Sequence, residues 1–253
     1  MLSQRERTAL PSAPFLCLSA LVAVLAVLAV ASASPATAAP AGRTLVVPPS
    51  RALAVLLGAH VARSAPDARS AAVQTVGARR PITGDRTVLP VIGRRLGPGG
   101  ARWLQVLLPG RPNGHAGWIR QTETRAAITN WHLVVDTSAR RVTVYGNGRP
   151  MRSYKAIVGT SSTPTPYGKF FVEETVALRP GDVGAPFALA LSARSTVLQE
   201  FAGGPGQIAL HGLSNVGGVL GTAVSHGCVR LDNDAMRWLV VRIGPGTPVT
   251  IVP

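Results

Sequence analysis

Ser225-His226-Gly227-Cys228-Val229-Arg230-Leu231 is the stretch on which the reading of the whole chain turns. The sequence holds two cysteines, and Cys17 lies in an N-terminal apolar segment. Cys228 is thus the one thiol of the remainder, with no intrachain partner to oxidise it. His226 stands two positions before it, and His211-Gly212 a short way upstream. A lone thiol with histidines nearby points to nucleophilic catalysis more than to structure. A buried, inert cysteine is the plain alternative.

A thiolate is the attacking species, so the cysteine needs a lowered pKa or an adjacent base. His211 and His226 are the available bases. In an extended segment the side chains of His226 and Cys228 share a face, and Gly227 allows a sharp turn between them. The fourteen residues Gly212–Ser225 include six glycines or serines, enough freedom to loop back and bring His211 to the same sulfur. Backbone N–H groups of Gly227 and Cys228, ahead of an expected helix, are candidate oxyanion donors.

Working outward, Gln207-Ile208-Ala209-Leu210 reads as a strand that ends at His211. Asp232 is an N-cap for a short helix through Met236, Trp238, Leu239 and Val240. Gly244-Pro245-Gly246 stops it, and Pro248–Val252 is a final strand. Upstream, Trp131–Asp136 and Arg141–Tyr145 read as a hairpin, Gly146-Asn147-Gly148 as a turn, and Tyr154–Gly159 and Phe170–Val176 as further strands. Earlier still, Leu45–Val47, Thr87–Ile92, Arg102–Leu108 and Gly117–Ile119 are β-like, while Ala52–Ala62 suits helix or strand. This first part resembles the bacterial SH3-like barrels of wall enzymes. Trp103 and Trp118 read as core residues there, and His60 and His115 are isolated.

The N-terminus reads as an export signal. Arg5 and Arg7 precede an apolar run from about Phe15 to Val30, followed by Ala31-Ser32-Ala33 and Ala36-Thr37-Ala38 as small-residue cleavage sites. The uncharged stretch is also long enough to stay as an anchor. The domain reading is a signal peptide or membrane anchor over 1–33, a linker over 34–43, a small SH3-like β domain over 44–125 and a catalytic domain over 128–253. The chain is expected to be exported to the cell wall or periplasmic space, secreted or anchored to the outer face of the membrane. The formal net charge is +15, and such a surface attracts polyanions. For an exported chain these would be anionic wall polymers, anionic lipid or the carboxylates of peptidoglycan stems. Nucleic acid is set aside, because no helix-turn-helix, zinc finger or stacking-aromatic motif is present.

The heptapeptide with its upstream His211-Gly212, together with Thr165-Pro166-Tyr167-Gly168-Lys169-Phe170, resembles the L,D-transpeptidase catalytic domain, the YkuD-type family, over about residues 129–253. The resemblance implies a mainly β, sandwich-like catalytic domain with a short helix after the cysteine. It implies Cys228 as nucleophile, His211 as general base, His226 as a supporting group and the Gly227 backbone in the oxyanion hole. The substrates implied are peptidoglycan stem peptides: the bond before a terminal D-alanine is cleaved and the acyl group passes to a stem amine, giving a 3→3 cross-link. Carbapenems acylate the same cysteine in such enzymes. No cofactor or metal is implied. Arg230, Tyr167, Ser225 and Gly212 are the candidate substrate-binding residues. Arg230 has an alternative role, a salt bridge to Asp232 or Asp234. Gly212 stands where some members carry serine, so a backbone carbonyl must orient the imidazole.

Other readings are a carboxypeptidase that uses water as acceptor, a non-catalytic wall-binding protein, and a sortase or papain-like amidase. A metal site built on His211, His226 and Cys228 lacks an evident fourth ligand.

Overall fold

The computed structural model describes residues 45–201 and 203–253. The expected signal or anchor, Cys17, the linker and Thr44 lie outside the described residues.

Residues 51–129 form a seven-stranded antiparallel sheet. Its strands are β1 (Arg51–Leu56), β2 (His60–Arg63), β3 (Ala72–Val76), β4 (Val88–Leu96), β5 (Arg102–Leu107), β6 (Ala116–Arg120) and β7 (Thr124–Thr129). Their spatial order is β3-β2-β6-β5-β4-β1-β7. The ambiguous run Ala52–Ala62 resolves into two strands, β1 and β2, parted by the turn at Gly58. Both outer strands, β3 and β7, escaped the sequence reading. They are largely exposed, so neither carries a continuous apolar signal. Trp103 and Trp118 are buried, as core residues should be.

Residues 131–252 form a second, mixed sheet of eight strands. Its members are β8 (Trp131–Asp136), β9 (Arg141–Gly146), β10 (Arg149–Lys155), β12 (Gly168–Ala177), β13 (Phe187–Arg194), β14 (Gln207–His211), β16 (Val229–Arg230) and β17 (Pro248–Val252). The order is β10-β9-β8-β17-β12-β13-β14-β16, and β11 (Val158–Gly159) pairs separately and in parallel with β15 (Ala223–Ser225). Leu133, Val135, Val142 and Val144 from one half share a core with Leu189, Leu191, Ile208, Leu210 and Val229 from the other, a sandwich-like arrangement. The helix α1 (Asn233–Val240) closes that core with Ala235, Met236 and Leu239. Asp232 caps it as expected, accepting from the amides of Asp234 and Ala235 at 2.8 and 3.1 Å.

Tyr154–Gly159 is not one strand. The chain leaves β9 at Ala156, whose amide turns to the Arg140 carbonyl. Ile157 then pairs with Arg230 beside the site.

Leu45–Pro253 packs as one unit. Adjacent side chains on a strand face opposite ways, and β12 uses this to join the two cores. Phe170 enters the core of the second sheet and Phe171 that of the first. Beside them lies a buried ionic cluster. Arg80, from the β3–β4 connection, pairs with Glu173 and, at 3.5 Å, with Glu174; Arg194 on β13 reaches Glu173 at 3.0 Å. The second oxygen of Glu174 accepts from the amides of Ile82 and Thr83 and from the Thr83 hydroxyl.

Candidate active site

The strands β14 and β16 run parallel, with Leu210 opposite Val229 and His211 opposite Arg230. Leu210 and Val229 are fully buried in the core. Alternation therefore places Ala209, His211, Cys228 and Arg230 on the other face, at the edge of the sheet. This register puts the thiol and the distant histidine on the same face of two neighbouring strands.

The turn that carries Cys228 is braced from three sides. The Ser225 hydroxyl donates to the Cys228 carbonyl at 2.6 Å and accepts from the Gly227 amide at 3.1 Å. The Thr165 hydroxyl donates to the Gly227 carbonyl at 2.9 Å and accepts from the Gly159 amide at 2.9 Å. The Thr163 hydroxyl donates to the Ser225 carbonyl at 3.2 Å. Gly227 itself has φ +117, and a Cβ there would sit 3.1 Å from Ile208. Thr165, at the head of the Thr-Pro-Tyr-Gly segment, thus clamps the turn that carries Cys228.

His211 Nδ1 lies 2.8 Å from the Gly212 carbonyl. A carbonyl only accepts, so Nδ1 carries the proton and Nε2 keeps its lone pair. Burial pushes the imidazole below its usual range; the Gly212 carbonyl opposes this and the Arg230 charge adds to it. The ring is neutral at pH 7 and able to accept a proton. Gly184, at φ +85, packs on the ring so closely that a Cβ would sit 2.4 Å from Nδ1. Gly212 is needed for a similar reason: a Cβ there would meet the Ala185 carbonyl at 2.1 Å and Asn233 Oδ1 at 2.6 Å. A serine at 212 does not fit this backbone. Its carbonyl is the group that orients the His211 ring.

The Cys228 sulfur is within 4.0 Å of the Gln207 carbonyl. Burial pushes the thiol up, against the Ala209 backbone hydrogen bond and the Arg230 charge. At neutral pH the pair is a thiol beside a neutral imidazole.

The remaining expected residues fall as follows. His226 is exposed and stacks on Phe201, with ring centroids 5.6 Å apart and planes 30° apart. Arg230 makes no salt bridge to Asp232 or Asp234: Asp232 caps α1, and Asp234 pairs with Arg237 at 2.7 Å. Its Nη1 donates to the Gly217 carbonyl at 2.6 Å, and its buried Nε has no partner. Arg230 has no ion-pair partner among the described residues. Ser225 is buried and engaged as a brace, so it does not face substrate. Gly212 holds the His211 ring through its carbonyl. The Gly227 amide, expected in an oxyanion hole, is engaged by the Ser225 hydroxyl. Tyr167 is exposed and lines a cleft of about 200 Å³ with Thr137, Arg140, Thr160 and Thr165. Sequence reasoning missed Thr165, Gly184, Asn233 and Phe201. For Thr165 the signal was present in the quoted motif, but its role was not.

Residues 130–251 match the family model of YkuD, the L,D-transpeptidase catalytic domain. Over that segment, which carries the three motifs, the chain is thus similar to the YkuD family. Among curated relatives, the chain is 32% identical to the putative L,D-transpeptidase YkuD of Bacillus subtilis, over 48% of this chain and 65% of that protein. It is 26% identical to L,D-transpeptidase 1 of Mycobacterium tuberculosis, over 70% of this chain and 80% of the relative. Among solved structures, the LD transpeptidase LdtMt1 in complex with imipenem aligns at 20% identity and a TM-score of 0.40, over 66% of this chain and 91% of the other.

Proposed function

We propose that the protein is an exported peptidoglycan L,D-transpeptidase with Cys228 as nucleophile and His211 as general base. The observation that carries this reading is the β14–β16 register. Its alternation puts Cys228, His211 and Arg230 on one half-buried face, and the Gly212 carbonyl supports the accepting tautomer of His211.

In the first half-reaction the thiol proton passes to His211 Nε2 as sulfur attacks the carbonyl between the third and fourth stem residues. The oxyanion forms beside the Cys228 amide. The C–N bond breaks, His211 returns its proton to the leaving amine, and D-alanine departs. A thioester remains on Cys228. In the second half-reaction the side-chain amine of another stem attacks the thioester, His211 takes the amine proton, and the C–S bond breaks. The thiol is restored and a 3→3 cross-link results. Arg230 is the candidate partner for a substrate carboxylate, and His226 lines the entrance.

Incubation with a disaccharide tetrapeptide, followed by mass spectrometry, tests this. The expected products are a Cys228 acyl adduct and a cross-linked dimer, both lost in Cys228→Ala. Full product formation by that variant would overturn the mechanism. Tripeptide without dimer would assign water as the acceptor.

A further inference from the structure

The connection between β13 and β14, residues 195–206, is held from outside its own sheet. Arg111, on the β5–β6 turn of the first sheet, donates to the carbonyls of Ser195 and Leu198 at 2.9 and 3.1 Å and to that of Pro205 at 2.9 Å. These carbonyls lie near both ends of the loop, so one guanidinium fork draws the ends together. Gly206 allows the closure: it has φ +63, and a Cβ there would collide with the Leu198 carbonyl at 2.1 Å and sit 3.3 Å from Arg111 Nη2. The same turn is fixed to the strand before the loop. Asn113 donates to the Arg194 carbonyl at 2.7 Å and accepts from the Arg194 amide at 2.8 Å.

The loop leads to the site at two points. Near its tip, Phe201 and Gly204 exchange backbone hydrogen bonds at 2.9 and 3.0 Å, and the Phe201 ring stacks on His226. At its end the chain enters β14 through Gln207, whose carbonyl faces the Cys228 sulfur. An arginine from the first sheet therefore governs a loop that touches both His226 and the nucleophile's surroundings.

We infer that Arg111 is a positioning residue for acylation: the first sheet acts through it to set the 195–206 loop, and with it Phe201 and His226, against the thiol. This rests on the acyl-transfer reading above. Small misplacement of groups around a reacting atom is costly. A guanidinium that bonds three carbonyls has no substitute in lysine, which acts as a point charge.

The test uses the full chain and three variants, Arg111→Ala, Arg111→Lys and Asn113→Ala. Three quantities are read: hydrogen exchange of the Phe201 and Gly204 amides, acylation of Cys228 by imipenem, and alkylation of Cys228 by iodoacetamide. In Arg111→Ala, exchange at both amides should rise and acylation slow by roughly tenfold or more, while alkylation by the small reagent stays near the wild-type rate. Arg111→Lys should recover little. Asn113→Ala, which loosens the sheet contact but leaves the loop's own clamp, should acylate like wild type. Wild-type acylation by Arg111→Ala, or an equal loss in Asn113→Ala, would overturn the inference. A wild-type chain that is alkylated but never acylated would instead defeat the acyl-transfer reading. Unchanged exchange in Arg111→Ala would still reject the clamp.

Discussion

Two polar clusters lie on or beside β13, and they are built on opposite terms. In the first, Arg80, Glu173, Glu174 and Arg194 balance two positive against two negative charges, and each charge faces an opposite one. Neutralising charge in place lets it stay in a low-dielectric interior. In the second, Cys228 and His211 are both pushed by burial toward their uncharged forms, and Arg230 brings a positive charge with no counter-ion among the described residues. A matched cluster holds two sheets together. On the proposed function, the unmatched one accepts charge, a thiolate and an oxyanion forming beside a guanidinium that has no ion-pair partner among the described residues. Both clusters are costly to bury.

The comparison can be broken in three ways. The largest effect is expected at the site. His211→Ala should slow Cys228 acylation by roughly 10²–10⁴-fold, the usual worth of a positioned base, with little change in thermal stability. An equally large loss of stability would make His211 a structural residue. Arg80→Ala should do the reverse. It leaves Glu174 buried without its cation and Glu173 with Arg194 alone, so unfolding should become easier by roughly 3–5 kcal/mol. Iodoacetamide should still reach Cys228 at the wild-type rate. Stability measured by denaturant titration and a slowed alkylation would tie the clusters together and end the contrast.

A smaller effect comes from His132. It is buried against Thr250 with Nε2 2.8 Å from the hydroxyl, and its pKa is pushed down to about 4 by burial, with Arg51 and Lys169 adding to the shift. An unfolded histidine titrates near 6.5, so between pH 6.5 and about 4 the unfolded chain binds the extra proton. Stability from this group is complete above that window and is lost as pH falls through it, by about 3 kcal/mol in all. His132→Gln should flatten this part of the curve of unfolding free energy against pH. An unaltered curve would show that the acid loss originates elsewhere.

The residues of the candidate site were legible because they are unusual or close in sequence. The lone Cys228, the nearby His226 and the capped helix at Asp232 could be read directly. His211 became readable because it ends an apolar strand. What sequence pattern did not carry are contacts over long separations. The bond from Thr165 to the Gly227 carbonyl spans 62 residues, and nothing local to Thr165 announces it. Gly184 looks like any loop glycine until the His211 ring is placed on it. β13 went unread because Phe-Ala-Leu-Ala-Leu-Ser-Ala-Arg combines small residues and helix formers, and burial on both faces blurs its alternation. Tyr154–Gly159 read as one strand because its apolar run is continuous. The pairing of Ile157 with Arg230, and of Val158–Gly159 with β15, breaks it.

The most direct test of the contrast is the rate of Cys228 alkylation by iodoacetamide as a function of pH. An unmatched, uncharged pair predicts slow alkylation at neutral pH and a rate that keeps rising past the ordinary thiol range, since burial raises the thiol. A fast rate that levels off below pH 7 would mean a standing thiolate–imidazolium pair, and would contradict the account.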